Sequence, residues 1–220
     1  MKARIISLSM IFCLLFPGIA LANYWDGGSV TSSGSNIQGA KAAITYNSTP
    51  YVTSGSNFST VWSAIGNYNY GTISQIGWDL DWDRSTSVRY FYGWINTDGL
   101  YHEAQATTGP AIGSTHTYKV QMNPSTKLSQ GYVDTAFCGS STLNWTPDTA
   151  QYAGETTAST VQMPGKTSNK ELFSSVTYYN GNTSTWIQPG LNVWVNQNQS
   201  GIDNSQLSTY GKFYIWDTRY

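Results

Sequence analysis

The sequence predicts an all-β domain, a sandwich or barrel of many short antiparallel strands. Three observations carry that prediction. Ser, Thr, Asn, Gly, Tyr and Trp dominate the 220 residues, and only 10% are charged. Short runs rich in β-branched and aromatic residues recur along the chain, and clusters of turn-forming residues separate them. No long amphipathic helical stripe occurs, and no repeat of about 20 to 50 residues or charged linker suggests an array or a second domain.

Taken in order, the chain opens with Lys2 and Arg4 ahead of an apolar run from Ile5 to Ile19, followed by the small residues Ala20 and Ala22. This is the pattern of a secretory signal peptide, too short and wrongly flanked to span a membrane. The expectation is a leader over residues 1–22, cleaved after Ala22, and one secreted domain over 23–220 that does not associate with a membrane once the leader is gone. "ISQIGWD", Ile73 to Asp79, reads as a strand whose alternation puts Gln75, Gly77 and Asp79 on one face and Ile76 and Trp78 on the other. "VRYFYGWI" from Val88, "HTYKVQM" from His116, "SSVTYY" from Ser174, "LNVWVN" from Leu191 and "KFYIW" from Lys212 read as further strands. "NTDG" at Asn96, "NPST" at Asn123, "NGN" at Asn180 and "QPG" at Gln188 supply the turns. Ser32–Ser35 and Ser140–Thr142 read as loops. "AQYAGETTAS", from Ala150, reads as a strand that holds one of only three glutamates in the chain, a residue that strands disfavour.

Removal of the leader would take Cys13 with it, leaving Cys138 as the single cysteine and the fold without an intramolecular disulfide. Nine basic residues against twelve acidic ones give the remaining domain a net charge of −3 and no basic patch, which argues against nucleic acid as a partner. The expected state is a monomer. "DLDWD", Asp79 to Asp83, has the spacing of the first ligands of a calcium loop, but Arg84 stands where that loop needs glycine and Tyr90 where it needs glutamate. "YHEA" at Tyr101 lacks the second histidine of a zinc protease helix and sits in a loop-like context; with only His102 and His116 in the chain, no metal or other cofactor is implied. Serines abound, but no G-x-S-x-G elbow accompanies them.

Several segments, in order along nearly all of the domain, resemble motifs of the eqolisin-type glutamic peptidases. "YWDGG" at Tyr24 is similar to the family's W-G-G segment with Asp26 inserted, and "VWSAIG" at Val61 to W-V-G-I. "ISQIGWD" is similar to I-L-Q-T-G-x-D, "YFYGW" at Tyr90 to A-W-Y-E-W, "AIGSTHTYKVQM" at Ala111 to I-S-x-G-D-x-I-x-V-x-V, and "AQYAGE" at Ala150 to A-E-[FW]-I-[IV]-E. The resemblance implies a lectin-like, concanavalin A-like sandwich of two sheets and an acid endopeptidase acting on polypeptide. It also implies that Glu155 is the catalytic general base and Gln75 its partner at the oxyanion, with Trp25, Trp62, Tyr92 and Trp94 lining a substrate cleft.

That chemistry suits the two side chains. A carboxylate can take a proton from water and return it to the leaving amine, so its working range lies around its own pKa, about 4 to 5 when unperturbed. A glutamine donates to an oxyanion without charge of its own. Acidic residues of the family motifs are replaced here by Gly66, Gly93 and Gln151. Two other classes suit the composition. One is a carbohydrate-binding or adhesive sandwich with aromatic platforms, and the other a glycoside hydrolase, which would require a second carboxyl across the scissile bond.

Overall fold

The computed structural model describes residues 24–31, 36–55, 57–81, 87–191 and 194–220. The signal-like segment, Ser32–Ser35 and Trp82–Arg84 lie outside the described residues. In chain order the elements are β1 (Tyr24–Thr31), β2 (Ile37–Thr45), β3 (Phe58–Asn67), β4 (Thr72–Asp81), β5 (Arg89–Ile95), β6 (Tyr101–Gln105), β7 (Thr115–Met122), β8 (Leu128–Val133), β9 (Ala136–Thr142), β10 (Thr149–Thr156), β11 (Glu171–Asn180), β12 (Thr185–Ile187), β13 (Trp194–Asn198), β14 (Gly201–Asp203), the one-turn helix α1 (Leu207–Tyr210) and β15 (Phe213–Trp216).

They form two antiparallel sheets packed as a sandwich. The first has seven strands in the order β13-β1-β10-β3-β4-β5-β6; the second runs β14-β15-β11-β2-β7-β8-β9, with β12 beside β11. Among the described residues no helix is long and apolar enough to cross a membrane.

The sheets face each other through one apolar layer, and strand alternation selects its members. From the first sheet come Val61 and Ile65 on β3, Ile76 and Trp78 on β4, Tyr92 on β5, and Ala150 and Tyr152 on β10; from the second come Ala40, Ala42, Ile44, Tyr118, Val120 and Phe173. Aromatic rings set the spacing: Tyr46 meets Trp78 edge-on at 4.9 Å, and Phe173 stacks on Phe213 at 4.4 Å. The run Ser140–Thr142, expected as a loop, belongs to β9, an edge strand on which Gly139 to Thr142 pair in register with Gly131 to Leu128. Hydroxyl side chains are tolerated there because half of the strand's face is exposed.

Tyr92 shows how tightly the layers meet, and it corrects one expectation. The resemblance put it in a substrate cleft, but it is fully buried in the core, its hydroxyl bonded to Ser74 Oγ and to the Ser129 carbonyl. Its ring lies over Gly131 and Gly139, where an added Cβ would come within 2.4 and 2.9 Å of ring carbons. Trp94, two residues along the same strand, also turns to the core side, stacked on His102 at 5.2 Å. The reason is register: Phe91 and Gly93 share the other face of β5, so Tyr92 and Trp94 cannot.

Overpacking at Gly131 is therefore expected to be felt. Gly131→Ala should lower stability by about 1 to 3 kcal/mol, read as a fall in denaturant midpoint with an unchanged slope, and an unaltered midpoint would contradict the packing described.

Candidate active site

The face of the first sheet that turns away from the core is also buried at its centre. Trp62 (3% exposed), Phe91, Ala64 and Ala153 form a second apolar cluster there, with Trp25 and Ile73 packed at its edge. Side chains on this face cover one another, as they do on the inside of a curved sheet.

Register arranges the face as three rows. The first contains Gln151 on β10, Ala64 on β3, Gln75 on β4, Gly93 on β5 and Glu103 on β6. The second contains Ala153, Trp62, Gly77, Phe91 and Gln105 on the same strands. The third contains Trp25 on β1, then Glu155, Thr60, Asp79 and Arg89. Glu155 and Gln75 thus occupy opposite corners of a patch centred on Trp62, two strands and four residues apart. Standard spacings make that about 10 Å across the strands and about 13 Å along them between Cα atoms, so the two side chains would have to extend toward each other past the indole to act on a common group. Trp25 and Trp62 lie on this face; Tyr92 and Trp94 do not.

The electrostatics of the two corners differ. Burial pushes the Glu155 carboxyl up to about 7, opposed in part by the indole N–H of Trp62. That N–H makes no well-aligned hydrogen bond, so its influence on the carboxylate is that of a nearby dipole. Gln75, 6% exposed, donates its amide N–H to the Tyr101 hydroxyl at 3.4 Å, and Tyr101 donates to Glu103 Oε2 at 2.5 Å. Gln105 donates to Asp79 Oδ2 at 2.9 Å.

In the sequence "YHEA" reads as loop-like, which gives Tyr101 and Glu103 no place beside Gln75. The segment is β6, an edge strand. Its alternation of Tyr101, Glu103 and Gln105 on one face was present in the sequence, but five residues of mixed polarity after "NTDG" resemble the continuation of a turn.

A second cluster has the composition of a hydrolase triad. His116 Nδ1 lies 2.8 Å from Asp134 Oδ2 and its Nε2 3.1 Å from Ser114 Oγ. Backbone donors beside it are already engaged: Gly113 N–H donates to Tyr46 O, Ser114 N–H to Ala111 O and Thr117 N–H to Asp134 Oδ1. Ser114 Oγ itself sits 2.6 Å from the Ala111 carbonyl. The cluster ties a surface turn to β7. Cys138, partly buried, has its thiol pushed up to about 11 by desolvation, which disfavours thiolate chemistry.

The sequence matches no family model, and no curated protein sequence matches it. The fold has solved counterparts. Scytalido-glutamic peptidase with a transition state analog inhibitor superposes with a TM-score of 0.57 at 16% identity, over 88% of this chain and 98% of that one. The same peptidase with a peptide-based transition state analog gives 0.55 at the same identity and coverage. SCP-B, a member of the eqolisin family of peptidases in complex with the tripeptide Ala-Ile-His, gives 0.53 at 14% identity. At these identities the likeness is one of fold, a single-domain sandwich of the same architecture.

The raised pKa of Glu155 has a stability consequence. The fold prefers the protonated acid, so the stability this preference contributes is complete below about 4.5 and is lost as pH rises through about 7. Glu155→Gln, which removes the titration, should gain about 2 to 3 kcal/mol relative to the parent on going from pH 4 to pH 8. Denaturant unfolding of both proteins at the two pH values measures it; an equal gap at both would place the carboxyl in ordinary solvent.

Proposed function

We propose that the chain is a secreted endopeptidase, released by cleavage after Ala22, that hydrolyses peptide bonds with Glu155 as general base and acid and Gln75 as oxyanion partner. The observation that carries the reading is the shared, aromatic-lined face. Glu155 and Gln75 project from β10 and β4 onto one buried patch beside Trp62, with Trp25 at its rim. In this reading a water and the substrate carbonyl sit between the two side chains, beside Trp62. Ionised Glu155 takes a proton from that water as oxygen attacks the carbonyl carbon; the developing oxyanion accepts a hydrogen bond from the Gln75 amide; protonated Glu155 then gives its proton to the departing nitrogen, and the acid and amine leave. No cofactor enters the step.

The working range differs from the one read from an unperturbed carboxyl. With the carboxyl at about 7, the ionised base becomes scarce below neutrality, so the optimum moves from the acid range toward neutral pH. One further feature separates the peptidase reading from a sugar platform on this face. A sugar platform needs an exposed aromatic face, whereas Trp62 is buried to 3% exposure.

Digestion of an unfolded protein from pH 3 to 8, with pepstatin present, tests the reading. The parent should cleave, with kcat/KM falling about tenfold per unit below an apparent pKa near 7. Glu155→Gln should lose at least about a hundredfold, as should Gln75→Ala. A folded parent that cleaves nothing at any pH, or a Glu155→Gln variant that retains activity, would overturn it.

A further inference from the structure

The row that holds Gln75 continues through Gly93 on β5 to Glu103 on β6. Position 93 is where the related A-W-Y-E-W motif carries its acidic residue. Here the glycine leaves room that another residue fills: an added Cβ would lie 2.5 Å from the Tyr101 hydroxyl oxygen and 3.0 Å from two of its ring carbons. Tyr101 therefore folds back from its own place, opposite Ile95, over the bare backbone of Gly93. Its hydroxyl then stands between Glu103, 2.5 Å away, and the amide nitrogen of Gln75, 3.4 Å away.

From this geometry we infer that Tyr101 and Glu103 are positioning residues for Gln75, with Glu103 returning from β6, through a tyrosine hydroxyl, the carboxyl that β5 lacks. The carboxylate of Glu103 fixes the direction of the Tyr101 O–H. The free lone pair of that oxygen then accepts one N–H of Gln75, which settles which end of the amide faces the site and leaves the second N–H to donate to an oxyanion. Without the pair the amide can turn over and offer its carbonyl oxygen, which would repel developing negative charge. Burial, with the charge of Glu103 adding to it, holds the Tyr101 hydroxyl well above its ordinary range, so it stays a donor throughout the working pH. The kinetic consequence rests on the peptidase reading above; the orientation of Gln75 does not.

The test therefore has two arms on the folded domain. In peptide hydrolysis, Tyr101→Phe and Glu103→Gln should each lower kcat about tenfold or more while KM changes less than about twofold, and neither should lower it further in a Gln75→Ala background. Losses that multiply in that background would overturn the inference, since a purely structural role would act independently of Gln75. In the second arm, side-chain amide resonances of Gln75 are identified by their absence in Gln75→Ala. They should be displaced from those of exposed glutamines in the parent and move toward them in Tyr101→Phe. Gln75 resonances that do not move would overturn the relay even in an active enzyme. A parent that cleaves nothing while the resonances move as expected would overturn the proposed function alone.

Discussion

Burial of both faces of one sheet is the constraint from which the rest of the molecule follows. In β10, β3, β4 and β5 every second residue is claimed by the layer shared with the other sheet: Tyr152, Val61, Ile76, Trp78 and Tyr92. The residues between them must then appear on the opposite face, and a slip of one residue would exchange the two sets. Trp62 and Phe91 make that second face apolar at its centre, so Glu155 and Gln75 meet a partly desolvated patch instead of open water. The pKa of Glu155 is a consequence of this packing.

Two other buried carboxyls have partners that Glu155 lacks. Asp217 is held below the usual range: its pairing with Arg219, at 2.6 Å, and the Met163 N–H outweigh the effect of burial. Asp26 accepts the backbone N–H groups of Gln199, Ser200 and Gly201, yet its burial still pushes it up to about 6. These bonds pin the turn between β13 and β14 to β1, and Gln199 in return accepts the N–H of Trp25 at 2.8 Å. The aspartate that looked like an insertion in "YWDGG" thus anchors the rim of the patch. Glu155 has neither cation nor backbone donors among the influences on its pKa, only the Trp62 dipole, which leaves it free to change protonation state.

Much of this was legible in the sequence, and the limits have physical causes. Alternation in "ISQIGWD" gave the face of Gln75 because isoleucine and tryptophan mark the core side unambiguously. It failed for "YFYGW", where aromatics occupy both faces and only pairing with β4 decides which turn inward. The serines of β9 read as a loop because an exposed edge strand needs little apolar side chain. Glu103 and Tyr101 stayed hidden because their meaning lies across the sheet, in the missing side chain of Gly93. The raised pKa of Glu155 could not be read either, since desolvation depends on Trp62 and its neighbours closing over the patch.

The most direct test of the Glu155–Gln75 pairing is a crystal structure of the domain with a peptide carrying a non-hydrolysable tetrahedral centre. One tetrahedral oxygen should contact the Glu155 carboxyl and the other accept from the Gln75 amide, with the peptide crossing the face beside Trp25. A peptide seated elsewhere, or a tetrahedral centre that touches one of the two side chains while the other stays out of reach, would contradict it.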